Sequence, residues 1–292
     1  MNRRMVFYMI GRLITVEAAL LLLPLIVSAI YRETSVVIAF SATVGIALAV
    51  GFGLTLISRP DSKVIFAKEG FVIVALSWIL MSVIGALPFV ISGEIPKFFD
   101  AFFEIVSGFT TTGASIVPNV EALSHGSLFW RSFTHWIGGM GVLVFIMAVV
   151  PSSTDRSIHI MKAEVPGPIV GKLVPRVRQT ARILYLIYVV MTFIMVIFLL
   201  CGGMSVFESL LHTFGTAGTG GFGTNMDSIA SYSPYIQWVI TIFMLIFGVN
   251  FNLYYLMLIK QFKTAIKSTE LWVYFAIVAL AGIFITINIL PM

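Results

Sequence analysis

Two short stretches stand out chemically: Thr110-Thr111-Thr112-Gly113-Ala114-Ser115 and Ala217-Gly218-Thr219-Gly220-Gly221-Phe222. What they offer is backbone. A residue without Cβ adopts dihedrals that others resist, so Gly113 and Gly220 can turn carbonyl oxygens toward an axis. Oxygens so arranged replace the water shell of a potassium ion, whose bare entry into hydrocarbon costs on the order of tens of kcal/mol. The expected chemistry is ion coordination. Bond-making is not expected: the sequence contains no HExxH, GxSxG or paired-histidine arrangement, and Cys201, its one cysteine, has no suitable neighbour.

Such loops need a membrane around them, and composition supplies one. Of 292 residues 59% are hydrophobic and 11% charged, with a mean hydropathy of +1.03, more apolar surface than a soluble chain of this size can hide. About seven stretches reach the roughly 20 apolar residues that a helical crossing requires. They fall at 5–30, 36–57, 71–91, 129–150, 182–200, 235–259 and 271–289. The runs are continuous rather than alternating, so the fold class is all-α and polytopic, not a barrel. The first run carries Arg12 and Glu17 and no small-residue cleavage site follows it, so it reads as a retained helix and not a secretory signal.

Each loop follows a short helical piece, 98–107 and 205–214, too short to cross. Both pieces must be re-entrant, since non-helical backbone at membrane depth persists only where protein buries it or a wet cavity meets it. The second opens on Ser205-Val206-Phe207-Glu208, a capping box, and the first follows Pro96. Each helix turns the negative end of its dipole toward its loop, which favours a cation. Phe99-Asp100-Ala101-Phe102-Phe103 matches Phe207-Glu208-Ser209-Leu210-Leu211, and after one gap Thr112-Gly113 matches Thr219-Gly220. The result is a parallel internal repeat of about 107 residues built on a helix, a re-entrant helix, a loop and a helix. Gly218 to Gly223 also fit G-x-G-x-x-G, but no soluble strand precedes them, so nucleotide binding is rejected. Gly138, Gly139, Gly141, Gly45, Gly51 and Gly53 read as close helix packing.

The net charge of +5 is topological rather than a sign of nucleic-acid binding. With loops alternating sides, all 18 Lys and Arg except Arg32, Lys97 and Arg131 share one face. The positive-inside rule then places the N-terminus in the cytoplasm. The acids Glu33, Glu94, Asp100, Glu104, Glu121, Glu208 and Asp227 lie toward the outside, where they either concentrate cations at a mouth or serve as ordinary solvated loop residues. Glu17 reads as a structural partner of Arg12 in preference to a proton carrier. His135, behind the first loop, and His212, in the second short helix, read as helix-to-helix hydrogen-bonding residues. Arg131 can anchor the first short helix through Asp100 or Glu104.

Several motifs resemble one family. They are the loop from Ser107 to Ser115, the helix from Phe129 to Gly141, Ala163-Glu164-Val165-Pro166-Gly167-Pro168, Gly218-Thr219-Gly220-Gly221-Phe222 and Gly248-Val249-Asn250-Phe251-Asn252. They occur in the order found in the TrkH/TrkG potassium uptake proteins, within the wider Trk, Ktr and HKT class. The resemblance implies four helix-loop-helix repeats preceded by a helix pair, in a bacterial inner membrane. Its filter positions match Thr110, Thr111, Thr112 and Gly113, and Ala217, Gly218, Thr219 and Gly220, with potassium on the carbonyls of Thr111, Thr112, Gly113, Gly218, Thr219 and Gly220. A glycine at 113 is the potassium-selective form. Potassium is the one cofactor implied. The partners implied are a TrkA-like nucleotide-binding regulatory subunit facing the basic segment from Arg156 to Arg182, a second copy in a homodimer, and lipid.

The units expected are a helix pair with its loop (1–70), a first repeat (71–150), a basic linker (151–180), a second repeat (181–259) and the opening of an incomplete third repeat (260–292). Two of four loops are then present, consistent with a truncated gene product, half of a split gene, or a fragment. The functions to weigh are a passive or potential-driven potassium path, drawing about 2.3 kcal/mol per charge per 100 mV, and a non-conducting subunit that needs a complementary half.

Overall fold

The computed structural model describes residues 2–60, 67–141 and 177–289. Among them all regular structure is helical. Positions 142–150 of the expected fourth crossing and the linker up to 176, with its Ala163 to Pro168 motif, lie outside the described residues.

The chain begins with α1 (Arg3–Leu20) and α2 (Leu22–Ile30), one apolar rod with a joint at Leu21. Pro24 causes the joint, because it has no N–H for the carbonyl of Leu20. α3 (Thr34–Ile57) returns along α1, and Gly11 and Gly51 let them close up. A Cβ on Gly11 would come 2.8 Å from the Gly51 carbonyl, and one on Gly51 would come 2.9 Å from that of Gly11. Gly45 and Gly53, expected to pack likewise, face open space instead.

The first repeat comprises α4 (Ala67–Ser92), the short α5 (Phe98–Phe109), its loop and α6 (His125–Gly139). The second comprises α7 (Val177–Cys201), the short α8 (Val206–Ala217), its loop and α9 (Pro234–Phe247). α10 (Phe251–Leu258), α11 (Phe262–Ile266) and α12 (Thr269–Ile289) follow. Five helical rods among the described residues are long and apolar enough to cross a membrane, and α9 with α10 makes a sixth if taken as one span. The expected single crossing at 235–259 is in fact broken by 85°. Gly248 closes α9, and Asn250 starts α10 by accepting the Asn252 N–H on its side chain at 3.0 Å.

Ile10, Leu13, Phe40, Ile73, Ile105 and Trp130 fill the main core, where α1, α3, α4, α5 and α6 meet. A second core forms around Tyr188 and Met195 between α7 and its neighbours. Outward apolar residues such as Ile26, Ile38, Phe193 and Ile197 are exposed, as lipid contact requires. No described residue of α12 is buried.

The repeat is tighter than the sequence match. α5 and α8 are both 12 residues long, and each end recurs 108 positions on, Phe98 at Val206 and Phe109 at Ala217. The spacing persists through the loops. Thr111 and Thr219 are left-handed (φ 55° and 58°), as are Gly113 and Gly221 (77° and 82°). Between them the N–H groups of Thr112 and Gly220 donate to Ser107 and Gly215 at 2.9 and 3.1 Å. No gap is needed, so Gly221, not Gly220, holds the backbone position of Gly113. The Thr-Gly dipeptide misleads because the repeated feature is a positive φ at alternate residues.

Candidate ion site

Both short helices end where the loops begin. Thr110 closes α5 in right-handed conformation, with its hydroxyl donating to Val106 at 2.7 Å and lying 2.8 Å from that of Thr112. Ala217 is the last residue of α8, and Gly218 closes that helix. Ser205 accepts the Glu208 N–H at 3.2 Å as its capping box predicts, but Glu208 answers the Ser205 hydroxyl, at 2.8 Å, rather than its amide.

The two loops meet. A Cβ built on Gly113 would strike the carbonyl oxygen of Gly220, whose carbon lies 2.8 Å from it. The carboxyl end of α6 wedges against both loops. A Cβ on Gly138 would meet the Phe109 carbonyl and lie 3.0 Å from the Thr111 side chain, and one on Gly139 would lie 3.0 Å from Gly218 Cα. These glycines pack as expected, and what they pack against is the loops. His135 is fully buried and stacks on Phe222 at 4.0 Å between centroids, and its ring limits Gly220, where a Cβ would come within 2.5 Å. It therefore packs against the second loop as well, because this half of α6 faces both short helices.

Gly113 thus meets Gly220 across the loops, Thr111, Thr112 and Thr219 flank them in sequence, and Thr110, Ala217 and Gly218 belong to the helix ends. Residues beyond the loop motifs complete the arrangement. Arg131 donates through Nε to Glu104, settling the choice that the sequence leaves between Asp100 and Glu104. Glu104 also accepts from the Ser115 hydroxyl at 3.0 Å and the Ile116 N–H at 2.9 Å. Arg131 Nη1 donates to the Gly223 carbonyl at 3.1 Å, and the guanidinium lies 3.6 Å from the centre of the Phe222 ring. In the second repeat His212 occupies the place of Glu104 and lies 3.3 Å from both Thr224 Oγ1 and the Tyr232 hydroxyl, which donates to Glu208 at 3.2 Å. A spacing of 108 would have pointed to Gly221 and to the pairing of Glu104 with His212. Nothing local in the sequence points to Phe222 as a partner of Arg131.

Several of the acids expected on the outer side have structural partners. Glu33 accepts the N–H groups of His125 and Gly126 at 2.7 and 3.0 Å, Glu94 accepts that of Ser124 at 2.8 Å, and together they cap α6. Glu121 accepts the Met226 N–H at 3.0 Å, joining the segments beyond the two loops. The expected Arg12 pairing is absent: neither oxygen of the buried Glu17 has a hydrogen-bond partner among the described residues, and Arg12 lies 6.0 Å above the Tyr8 ring.

Long apolar helices around two re-entrant helices whose loops meet define a polytopic membrane protein built on helix-loop-helix repeats. Residues 38–289 match the TrkH family of cation transport proteins. The chain is 38% identical over 262 residues to the Trk system potassium uptake protein TrkH of Escherichia coli K12, and 34% identical over 287 residues to TrkG of the same organism. These matches cover 88% and 97% of this chain, but 54% and 59% of those relatives. The crystal structure of the potassium transporter TrkH from Vibrio parahaemolyticus superposes with a TM-score of 0.75 at 31% identity, over 87% of this chain and 52% of that one. The chain belongs to the TrkH family. It spans about half the length of the relatives that it matches.

Proposed function

We propose that this chain supplies two filter loops of a Trk-type potassium uptake pore in a bacterial inner membrane, with its N-terminus in the cytoplasm. The observation that carries this reading is the meeting of Gly113 and Gly220 on loops with the same alternation of left-handed residues. A backbone that alternates in hand does not zig-zag its carbonyls as a strand does, and it can turn them to one side of a cation. The carbonyls assigned to potassium are those of Thr111, Thr112 and Gly113 and of Gly218, Thr219 and Gly220, joined by Gly221, with Thr110 and Ala217 at the helix ends. The chain moves an ion and performs no enzymatic chemistry. A TrkA-like regulatory subunit and a second copy are the partners assigned.

A second reading, a subunit that conducts only beside a complementary half, is favoured by α12, none of whose described residues is buried. Growth of a potassium-uptake-deficient bacterium at limiting potassium separates the two. Rescue by this chain, abolished by Gly113→Asp, means that two repeats suffice. Rescue only after fusion to a third and fourth repeat means that its half of the filter is competent and incomplete. Failure of both overturns the pore reading.

A further inference from the structure

Building on that reading, we propose that Arg131 is a positioning residue that registers the second loop on the first and thereby sets the cation preference of the path they line. Its guanidinium uses three features at once. One edge pairs with Glu104, whose oxygens also hold Ser115 and Ile116, the residues that leave the first loop. A second donor holds the Gly223 carbonyl, two residues beyond Gly221, and the flat face lies on Phe222. Both charged residues are buried, Arg131 at 3% exposure and Glu104 at 0%, so the ion pair between them is shielded from water.

The repeat shows why one side chain has this task. Advanced by 108 positions, Glu104 becomes His212 and Arg131 becomes Val239. His212 braces Thr224, which lies beyond its own loop, and Val239 carries no polar group to reach another loop. Among the described residues the guanidinium contact to the second loop thus comes from the first repeat. What the contact requires is shape as well as charge. A lysine at 131 would keep the ion pair, but an ammonium has neither a planar fork nor a face to lay on Phe222. A carbonyl ring that discriminates between cations of similar charge depends on the relative placement of its members, and this contact fixes that placement.

The test uses the purified chain in detergent. Thermal unfolding titrated with potassium and with sodium gives the ratio of their apparent affinities. As a separate readout of geometry, Glu121→Cys and Met226→Cys in a Cys201→Ser background report how readily the two segments crosslink. Arg131→Lys and Phe222→Ile are compared with the parent. The second leaves the ion pair whole, so it remains informative if the first fails to fold. The expected result is a parent that prefers potassium, and variants that lose about tenfold of that preference, as the loss of the charged bond to Gly223 implies for the first and that of the guanidinium–ring contact for the second, and crosslink more slowly. Variants with the parent's potassium preference and crosslinking rate overturn the proposal, as do variants that crosslink slowly yet keep the preference. A parent without potassium preference instead overturns the reading that two loops alone select a cation and, with it, the selectivity claim, while the crosslinking rates still decide whether Arg131 registers the loops.

Discussion

At position 113 a side chain would meet the Gly220 carbonyl and would also have to hold φ at 77°. The second demand alone costs an L-residue about 1–2 kcal/mol. Gly113→Ala is therefore expected to lower the thermal unfolding midpoint and weaken potassium uptake, read respectively by fluorescence-monitored melting and rubidium flux. Gly221→Ala, at the matching φ of 82° but with only Met244 at 3.8 Å from where a Cβ would sit, is expected to show the smaller loss that the dihedral alone imposes. Glu104→Leu poses a different problem, since it leaves Arg131 charged and buried. Removing one partner of such a pair costs about 3–5 kcal/mol, and replacing both by apolar residues recovers much of it. The double variant Glu104→Leu with Arg131→Met is accordingly expected to melt above the single one, and equal melting would show that the pair contributes no such penalty.

Helix contacts separate glycines that look alike in the sequence. Gly139→Val would drive a branched side chain against Gly218 and the Tyr188 hydroxyl, only 2.6 Å from where a Cβ would sit, and is expected to abolish the folded peak in size-exclusion chromatography. Gly45→Ala and Gly53→Ala face open space within α3 and are expected to hold or raise the melting point, since alanine exceeds glycine by up to about 1 kcal/mol in a helix interior. Five of the seven expected crossings, the two short helices and the repeat are legible in the sequence because hydropathy and length decide them. Three features are not. The gap between Thr112-Gly113 and Thr219-Gly220 rests on matching letters, whereas the backbone repeats its dihedrals. The break at Gly248-Val249-Asn250 lies inside an unbroken apolar run, which hides it from hydropathy. The contacts of His135 and Arg131 with the second loop depend on which way α6 faces, and composition does not record that.

Across the whole molecule, burial is uneven. α1 carries Ile10, Leu13 and Ile14 in the main core at 0–1% exposure, while no described residue of α12 is buried. Deleting 1–33 is expected to prevent recovery of a folded protein, whereas ending the chain at 268 is expected to lower the melting point only slightly, through the loss of contacts such as the bond from Tyr274 to the Leu245 carbonyl. Comparable losses from the two deletions would show that α12 contributes to stability in a way its exposure does not suggest. The clamp on Arg131 also has a consequence in time. Its partner Glu104 has already left the ribosome when Arg131 emerges, but the Gly223 carbonyl lies 92 residues further along the chain. At ordinary rates of synthesis that interval lasts roughly 5–20 s. For that period a nascent chain carries an arginine with one bond made and one donor waiting, and its first loop acquires its final restraint only when the second arrives.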